Sequence, residues 1–255
     1  MIITFRNNFA SNFAALAVNN NQMSLIISIA KLASGLKITK ASDDPAGLVI
    51  SEQLRTQIAS LNQEIENISM NIGKYQTVSG TVGEMRNQLI EIRTLAVGAA
   101  NSGGNSEEAQ AAYALAADAL VESFNFSRNN STYNGVATLD GSAGSLANVD
   151  ELSGIDLSTP EGAVAAINQI DAASSQLDEV QIDLGSTQRY DLESHKATLE
   201  VTRQNLVSAE SQIRDLDVAR EYSNMIASMI GLQLSTALLS HSNLTNRSVI
   251  NLLYS

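Results

Sequence analysis

The chain has no cysteine and no tryptophan, and only two prolines, Pro45 and Pro160, in 255 residues. Without cysteine there are no disulfides and no thiolate metal sites, and the redox compartment stays open. So little proline leaves room for long uninterrupted helices. Aromatic residues make up 4%, too few for an ordinary large core. The stock of Ala, Leu, Ile, Ser, Asn and Gln instead suits helices packed lengthwise. Positive charge is also short, with 15 Lys+Arg against 27 Asp+Glu and a net charge of −12. Nucleic-acid backbones and anionic membrane surfaces attract clustered Lys and Arg, so neither is an expected partner. The opening MIITFRNNFASNF has no cationic lead followed by an apolar run and a small-residue cleavage site, so no secretory signal peptide is expected. Catalytic signatures are missing too: there is no H-E-x-x-H, G-x-S-x-G, phosphate loop or dinucleotide fingerprint. No enzymatic activity, cofactor or metal is expected. Asp43-Asp44 before Pro45 reads as helix capping rather than a metal pair. His195 has no second ligand at metal spacing and reads as an interfacial histidine.

What is present is periodicity. Leu54, Ile58, Leu61, Ile65, Ile68, Ile72 and Tyr75 alternate steps of four and three. After one further step of three, Val78, Val82, Met85, Leu89 and Ile92 resume the pattern. This heptad seam predicts a helix of ~60 Å at 1.5 Å per residue. NSGGNS (101–106) should end it, and Ser106-Glu107-Glu108 should cap the next helix. There Ala109, Ala112, Ala116, Ala119, Ser123 and Ser127 form a stripe of small residues, with Tyr113, Leu120 and Phe124 beside it, and suggest a close helix–helix approach. Asn134-Gly135 predicts a β-hairpin within 131–144, and the Gly/Ser/Ala/Asp-rich stretch 140–158 reads as a loop or tight connection. Ser158-Thr159-Pro160-Glu161 matches a capping box that opens a helix over 160–214. Its seam runs through Ile167, Ile170, Leu177, Val180 and Leu184, then Leu192, Leu199, Leu206 and Ile213. Eight residues separate Leu184 from Leu192, so the phase should shift around 185–191.

The two ends behave alike. Phe9, Phe13, Leu16, Asn20, Met23, Ile27 and Ala30 alternate four and three, as do Val218, Tyr222, Met225, Met229, Leu232, Thr236 and Leu239. No charged side chain occurs over 7–30 or, with His241 neutral, over 222–246. A membrane span needs roughly 20 mostly apolar residues. Here too many Asn, Gln, Ser and Thr residues interrupt both windows, and their polar groups would go unsatisfied in hydrocarbon. Burial among protein helices suits neutral polar groups and excludes unpaired charges, which cost several kcal/mol. One chain of this size cannot surround both windows, so copies of the chain or a partner must.

SGLKITKASDDPAGLVISEQLRTQI (34–58) resembles the flagellin N-terminal signature through Ser34, Gly35, Asp43, Asp44 and Gly47. NLVSAESQIRDLDVAREYSNM (205–225) resembles its C-terminal counterpart through Ile213, Asp215 and Asp217. TYNGVATLDG (132–141) and SNLTNRSVINLL (242–253) are similar to further family segments. The resemblance implies a mostly α fold: a long antiparallel helical bundle or coiled coil of paired N- and C-terminal halves, one small β-hairpin and no inserted outer domain. It implies inner-tube helices over 1–42 and 215–255. It implies a rod-like domain over 43–214, with the hairpin near 131–144 and a short connection near 140–160. The function implied is the self-polymerising subunit of the extracellular bacterial flagellar filament, exported through the flagellar type III channel. Implied partners are other copies, an export chaperone, the filament cap and hook-junction proteins. The alternatives are a hook–filament junction protein and a secreted membrane-active helical protein. The residues expected to pack between subunits are Phe9, Phe13, Leu16, Met23, Ile27, Met225, Met229, Leu232 and Leu239. In family members that activate an animal innate receptor, the resemblance places contacts at Leu89, Glu91, Arg93 and Leu95. Glu91 stands where strong activators carry Arg, which implies weak activation. One departure from the family pattern is in LGSTQRYDL (184–192), which carries one extra residue where the heptad phase slips.

Overall fold

The computed structural model describes residues 8–253, and the side chains of residues 8–245. The opening residues 1–7, which bear on the signal-peptide expectation, lie outside the described residues. The side chains of 246–253, in the closing segment similar to the family's, do so as well. Six α-helices follow in order: α1 (Phe9–Ser34), α2 (Pro45–Ala99), α3 (Glu107–Asn130), α4 (Pro160–Ser186), α5 (Ser194–Arg214) and α6 (Val218–Leu253). Strands β1 (Thr132–Tyr133) and β2 (Val136–Ala137) lie between α3 and α4, and a π-helical turn, Thr187–Glu193, separates α4 from α5. The residues divide into two compact units, Met1–Ser60 with Arg203–Ser255, and Leu61–Thr202.

In the second unit α3 and α4 each run antiparallel to α2. Arg86 pairs with Asp178 and Arg93 with Asp171, so seven residues forward in α2 match seven back in α4. Gln88 of α2 donates to Ser123 of α3, while the ring of Tyr113 lies 3.2 Å from where a Cβ on Gly98 would stand. Val78, Val82, Met85, Leu89 and Ile92 are fully buried, together with Ile170, Leu177 and Leu184 of α4. This stretch of the predicted seam is therefore the core of the unit. Small residues set its tight end: Ala96, Ala99, Ala117, Ala163 and Ala166 are all buried.

Three expectations change in detail. On α3, Ala112, Ala116, Ala119 and Ser123 are exposed, while Tyr113, Ala117, Leu120 and Phe124 face the core. Alanine tolerates either side of a helix, so a stripe of it does not mark the buried face. Helix α4 is capped by Thr159, whose Oγ1 accepts from the Gly162 amide at 3.1 Å. Ser158 turns back to Asp156 instead. The helix expected over 160–214 is not one α-helix, because the π turn falls inside it, at the place where the seam lengthens from seven to eight.

The hairpin forms, with Thr132 opposite Ala137 and Tyr133 opposite Val136. Asn134 and Gly135 take φ +52° and +77°, the mirror-image turn that matches strand twist. The segment after it has little regular structure, yet Leu139, Val149, Leu152, Ile155 and Leu157 are buried in the core. Its backbone is held by side chains: Asn125 both donates to and accepts from Leu152, and Gln110 donates to the carbonyls of Ala99 and Leu157.

Because Leu89 is wholly enclosed and its neighbour Ile90 is 56% exposed, the two positions should respond differently to truncation. Leu89→Ala is expected to lower the stability of the second unit by about 2–5 kcal/mol, and Ile90→Ala by less than about 0.5 kcal/mol, in denaturant unfolding.

Candidate self-assembly interface

In the first unit, two connections meet. Helix α1 ends on Gly35, whose φ of +71° is a left-handed C-cap. Leu36 then forms an antiparallel bridge with Asp215. The Lys37 amide donates to the Arg214 carbonyl at 2.8 Å, and the Leu216 amide to the Gly35 carbonyl at 3.1 Å. The α1–α2 and α5–α6 connections are thus stitched to each other by backbone. Ile38 is buried beneath them.

The family-like residues all serve this junction. Ser34 Oγ accepts from the Leu36 amide. Asp43 accepts from the Thr39 hydroxyl and from the Thr39 and Lys40 amides, at 2.9–3.0 Å. Those bonds, the hydroxyl's above all, hold its carboxyl below the ordinary value of 3.8. Asp44 caps α2 by accepting from the Gly47 amide at 2.9 Å. A Cβ on Gly47 would stand 2.4 Å from the Asp44 carboxylate and 2.9 Å from the Ile38 side chain, so a larger residue would displace the capping carboxylate. Asp215 accepts from Ser211, and Asp217 caps α6 at the Arg220 amide. Ile213 is half-buried. Arg214 reaches Glu52 of α2 at 2.6 Å and keeps that carboxyl low. Sequence reasoning did not identify this pair, because nothing local marks residues 162 positions apart.

Helices α1 and α6 pair antiparallel. Asn21 donates to Ser235, Ser11 to Asn243 and Asn8 to the Ser242 carbonyl. Asn8 also caps α1 at the Ser11 amide. The most enclosed positions are Ala14, Ser28 and Ser235. Gly231 lets Asn21 settle against the α6 backbone, where a Cβ would come within 2.9 Å of it. The covered positions of α1, including Ser11, Ala14, Val18, Asn21, Leu25 and Ser28, repeat by threes and fours. So do Met225, Ser228, Leu232, Ser235, Leu239 and Ser242 of α6. The seam within the chain therefore mixes small and polar residues with Val18, Leu25, Met225, Leu232 and Leu239. A small-residue heptad in each charge-free window was the signal for it.

The larger apolar residues divide between the seam and the outside. Met225, Leu232 and Leu239, expected between subunits, lie half-buried in the seam against α1. Phe9, Phe13, Leu16, Met23, Ile27 and Met229 are exposed, Phe9 by 81%. Ile26, Ile29, Ile230, Leu234 and Leu238 are exposed beside them. Contiguous apolar surface on this scale marks an interaction face. Helix α1 is long and apolar enough to cross a membrane by length and composition. Its exposed side also carries Asn12, Asn19, Asn20 and Gln22, whose amides hydrocarbon could not satisfy.

In the second unit, Leu89 is enclosed, Leu95 half-buried, and Glu91 and Arg93 exposed. Arg93 is held by Asp171 at 2.8 Å, and the pair keeps the Asp171 carboxyl below the usual range. A protein reaching this segment would meet Glu91 and Arg93.

The lowered Asp43 carboxyl gives the junction a pH dependence. A folded-state pKa depressed below 3.8 stabilises the loop above the ordinary aspartate range, and the contribution fades as pH falls through the lowered value. Protection of the Thr39 and Lys40 amides, relative to intrinsic exchange rates, should therefore hold at neutral pH and be lost on strong acidification. Asp43→Ala should remove it at every pH.

Residues 5–144 match the bacterial flagellin N-terminal helical region, and residues 167–253 the bacterial flagellin C-terminal helical region. The stretch between them is too short for another domain. The chain is 34% identical to a flagellin of Halalkalibacterium halodurans, over 88% of this chain and 89% of that one. It is 28% identical to the flagellar filament 33 kDa core protein of Treponema phagedenis, over 96% and 98%, and 28% identical to the flagellin of Bacillus subtilis, over 88% and 90%. Against the crystal structure of Bacillus cereus flagellin the TM-score is 0.46 at 19% identity, covering 52% of this chain and 88% of that one. This chain belongs to the bacterial flagellin family.

Proposed function

We propose that this protein is the subunit of a helical flagellar filament outside the cell and that it acts as structure rather than as an enzyme. The observation that carries this reading is the outward apolar face of the α1–α6 pair, set in two windows without charge. Such a face loses roughly 25 cal/mol per Å² while it stays in water. Copies of the same chain supply what it needs: apolar side chains, neutral partners for Asn and Gln, and no charge to bury. In this arrangement residues 1–42 and 215–255 form the inner tube and 43–214 the surrounding rod. The seam residues Met225, Leu232 and Leu239 hold α6 to α1. Phe9, Phe13, Leu16, Met23, Ile27 and Met229 reach neighbouring subunits.

A chain destined for such a polymer has to leave the cell unassembled. An export chaperone, passage through the flagellar export channel, and end contacts with cap and hook-junction proteins belong to the same reading. Neither nucleic acid nor membrane is part of it.

Ile27 separates folding from assembly, because it is 45% exposed within the chain. Ile27→Asp is expected to leave the circular dichroism and melting of the monomer unchanged. It should abolish seeded polymerisation at concentrations where the wild type forms filaments, since an unpaired charge buried in the polymer costs several kcal/mol. Normal filaments of this variant by electron microscopy would overturn the reading.

A further inference from the structure

Three irregularities fall at one level of the second unit. The α2 seam shortens there, running Ile72, Tyr75, Val78 in two steps of three where a heptad has seven residues. The partner seam lengthens there, with eight residues from Leu184 to Leu192, and the helix becomes the π turn Thr187–Glu193. Tyr75 lies between the two: burial, then the carboxylates of Asp183 and Asp191, raise its phenol above the ordinary tyrosine range. The third irregularity is the hairpin. Tyr133 donates to the Met70 carbonyl, and Lys74 to the Gly144 carbonyl at 2.8 Å.

The level marks a change in packing. On the side of Val78–Ile92, α2 has both α3 and α4 to bury it, and its seam is fully enclosed. On the side of Ile72–Leu61, with Leu192 and Leu199 in the partner, Ile68 is buried but the other seam positions, Leu61, Ile65, Ile72, Leu192 and Leu199, are only half-buried. At 100° per residue, two steps of three swing the α2 seam by about 100° relative to a heptad. An α-helical partner carrying eight residues would swing by a similar amount and lose its own seam. The wider π turn takes up the extra residue, so Leu184 and Leu192 keep one face. No residue of the turn is fully buried: Thr187, Gln188 and Leu192 are half-buried and the other four are exposed.

We propose that the π turn is the conformational joint of this unit. There a three-helix bundle passes into a two-helix coiled coil, the helix opens first, and the subunit adjusts when it is packed. The last clause rests on the filament reading above; the first two concern the monomer alone.

The test deletes Gln188 from the full chain, which restores seven residues between Leu184 and Leu192. Deletion of the exposed Ser175, which shortens the regular spacing from Ile170 to Leu177, is the control. In the wild-type monomer the amides of 188–192 should exchange at least about tenfold faster than those of 178–182. The Gln188 deletion should remove that difference and melt at or above the wild-type temperature. The Ser175 deletion should lower the melting temperature by about 5 °C or more. Slow exchange over 188–192 in the wild type, or equal destabilisation by both deletions, overturns the joint. Filaments of the Gln188 deletion should have a changed helical repeat, and an unchanged repeat overturns the joint's role in packing. If the wild type itself does not polymerise, the filament reading fails while monomer exchange still decides the joint.

Discussion

A charge buried without a partner costs several kcal/mol, and that one constraint organises both ends of this chain. Over 7–30 and 222–246 charge is absent, while Asn, Gln, Ser and Thr remain. Neutral polar groups can be buried if they find hydrogen bonds, and here they do: Asn8, Ser11 and Asn21 bond with Ser242, Asn243 and Ser235. Small polar residues alternate with Leu25, Met225, Leu232 and Leu239 inside the pair, while Phe9, Phe13, Leu16, Met23 and Ile27 stay outside. The result is a helix pair whose two surfaces have different tasks. One holds the chain's own ends together, and the other is left for neighbours.

The pair is positioned by the junction beside it. Backbone bonds between the two connections fix where α1 and α6 begin and end relative to α2 and α5 in this unit. Asp43, Asp44 and Asp217 place carboxylates on loop and helix N-terminal amides, where their charge is favoured. Gly35 allows a left-handed turn, and Gly47 leaves room for the Asp44 carboxylate and Ile38 beside it. The residues that resemble the family signatures are therefore structural. They hold a geometry that the terminal helices need.

Much of this was legible beforehand. The seam from Val78 to Ile92 was readable because it is aliphatic, strictly spaced and fully enclosed. Asn134-Gly135 foretold its turn because few residues accept positive φ. The eight-residue gap at 184–192 located the π turn, although spacing alone does not say whether a helix twists, breaks or widens. Face assignment was harder. In α1 the apolar period picked out Phe9, Phe13, Met23 and Ile27, which is the greasiest side but not the side covered within the chain. Apolar periodicity reports what will be buried, not by which molecule. The stripe on α3 misled because alanine is nearly indifferent to burial. Leu139, Val149 and Leu157 escaped notice because isolated apolar residues in an irregular strap have no period to reveal them.

The central claim is that other copies of this chain cover the outer face of the α1–α6 pair. An electron cryomicroscopy reconstruction of the assembled polymer tests it directly. The account predicts that Phe9, Phe13, Met23, Ile27, Met229 and Leu234 each lie within van der Waals distance of a neighbouring subunit, while Asn21 and Ser235 stay paired within one chain. A reconstruction in which those apolar side chains face open solvent, or in which α1 leaves α6 to pair with another chain, would contradict it.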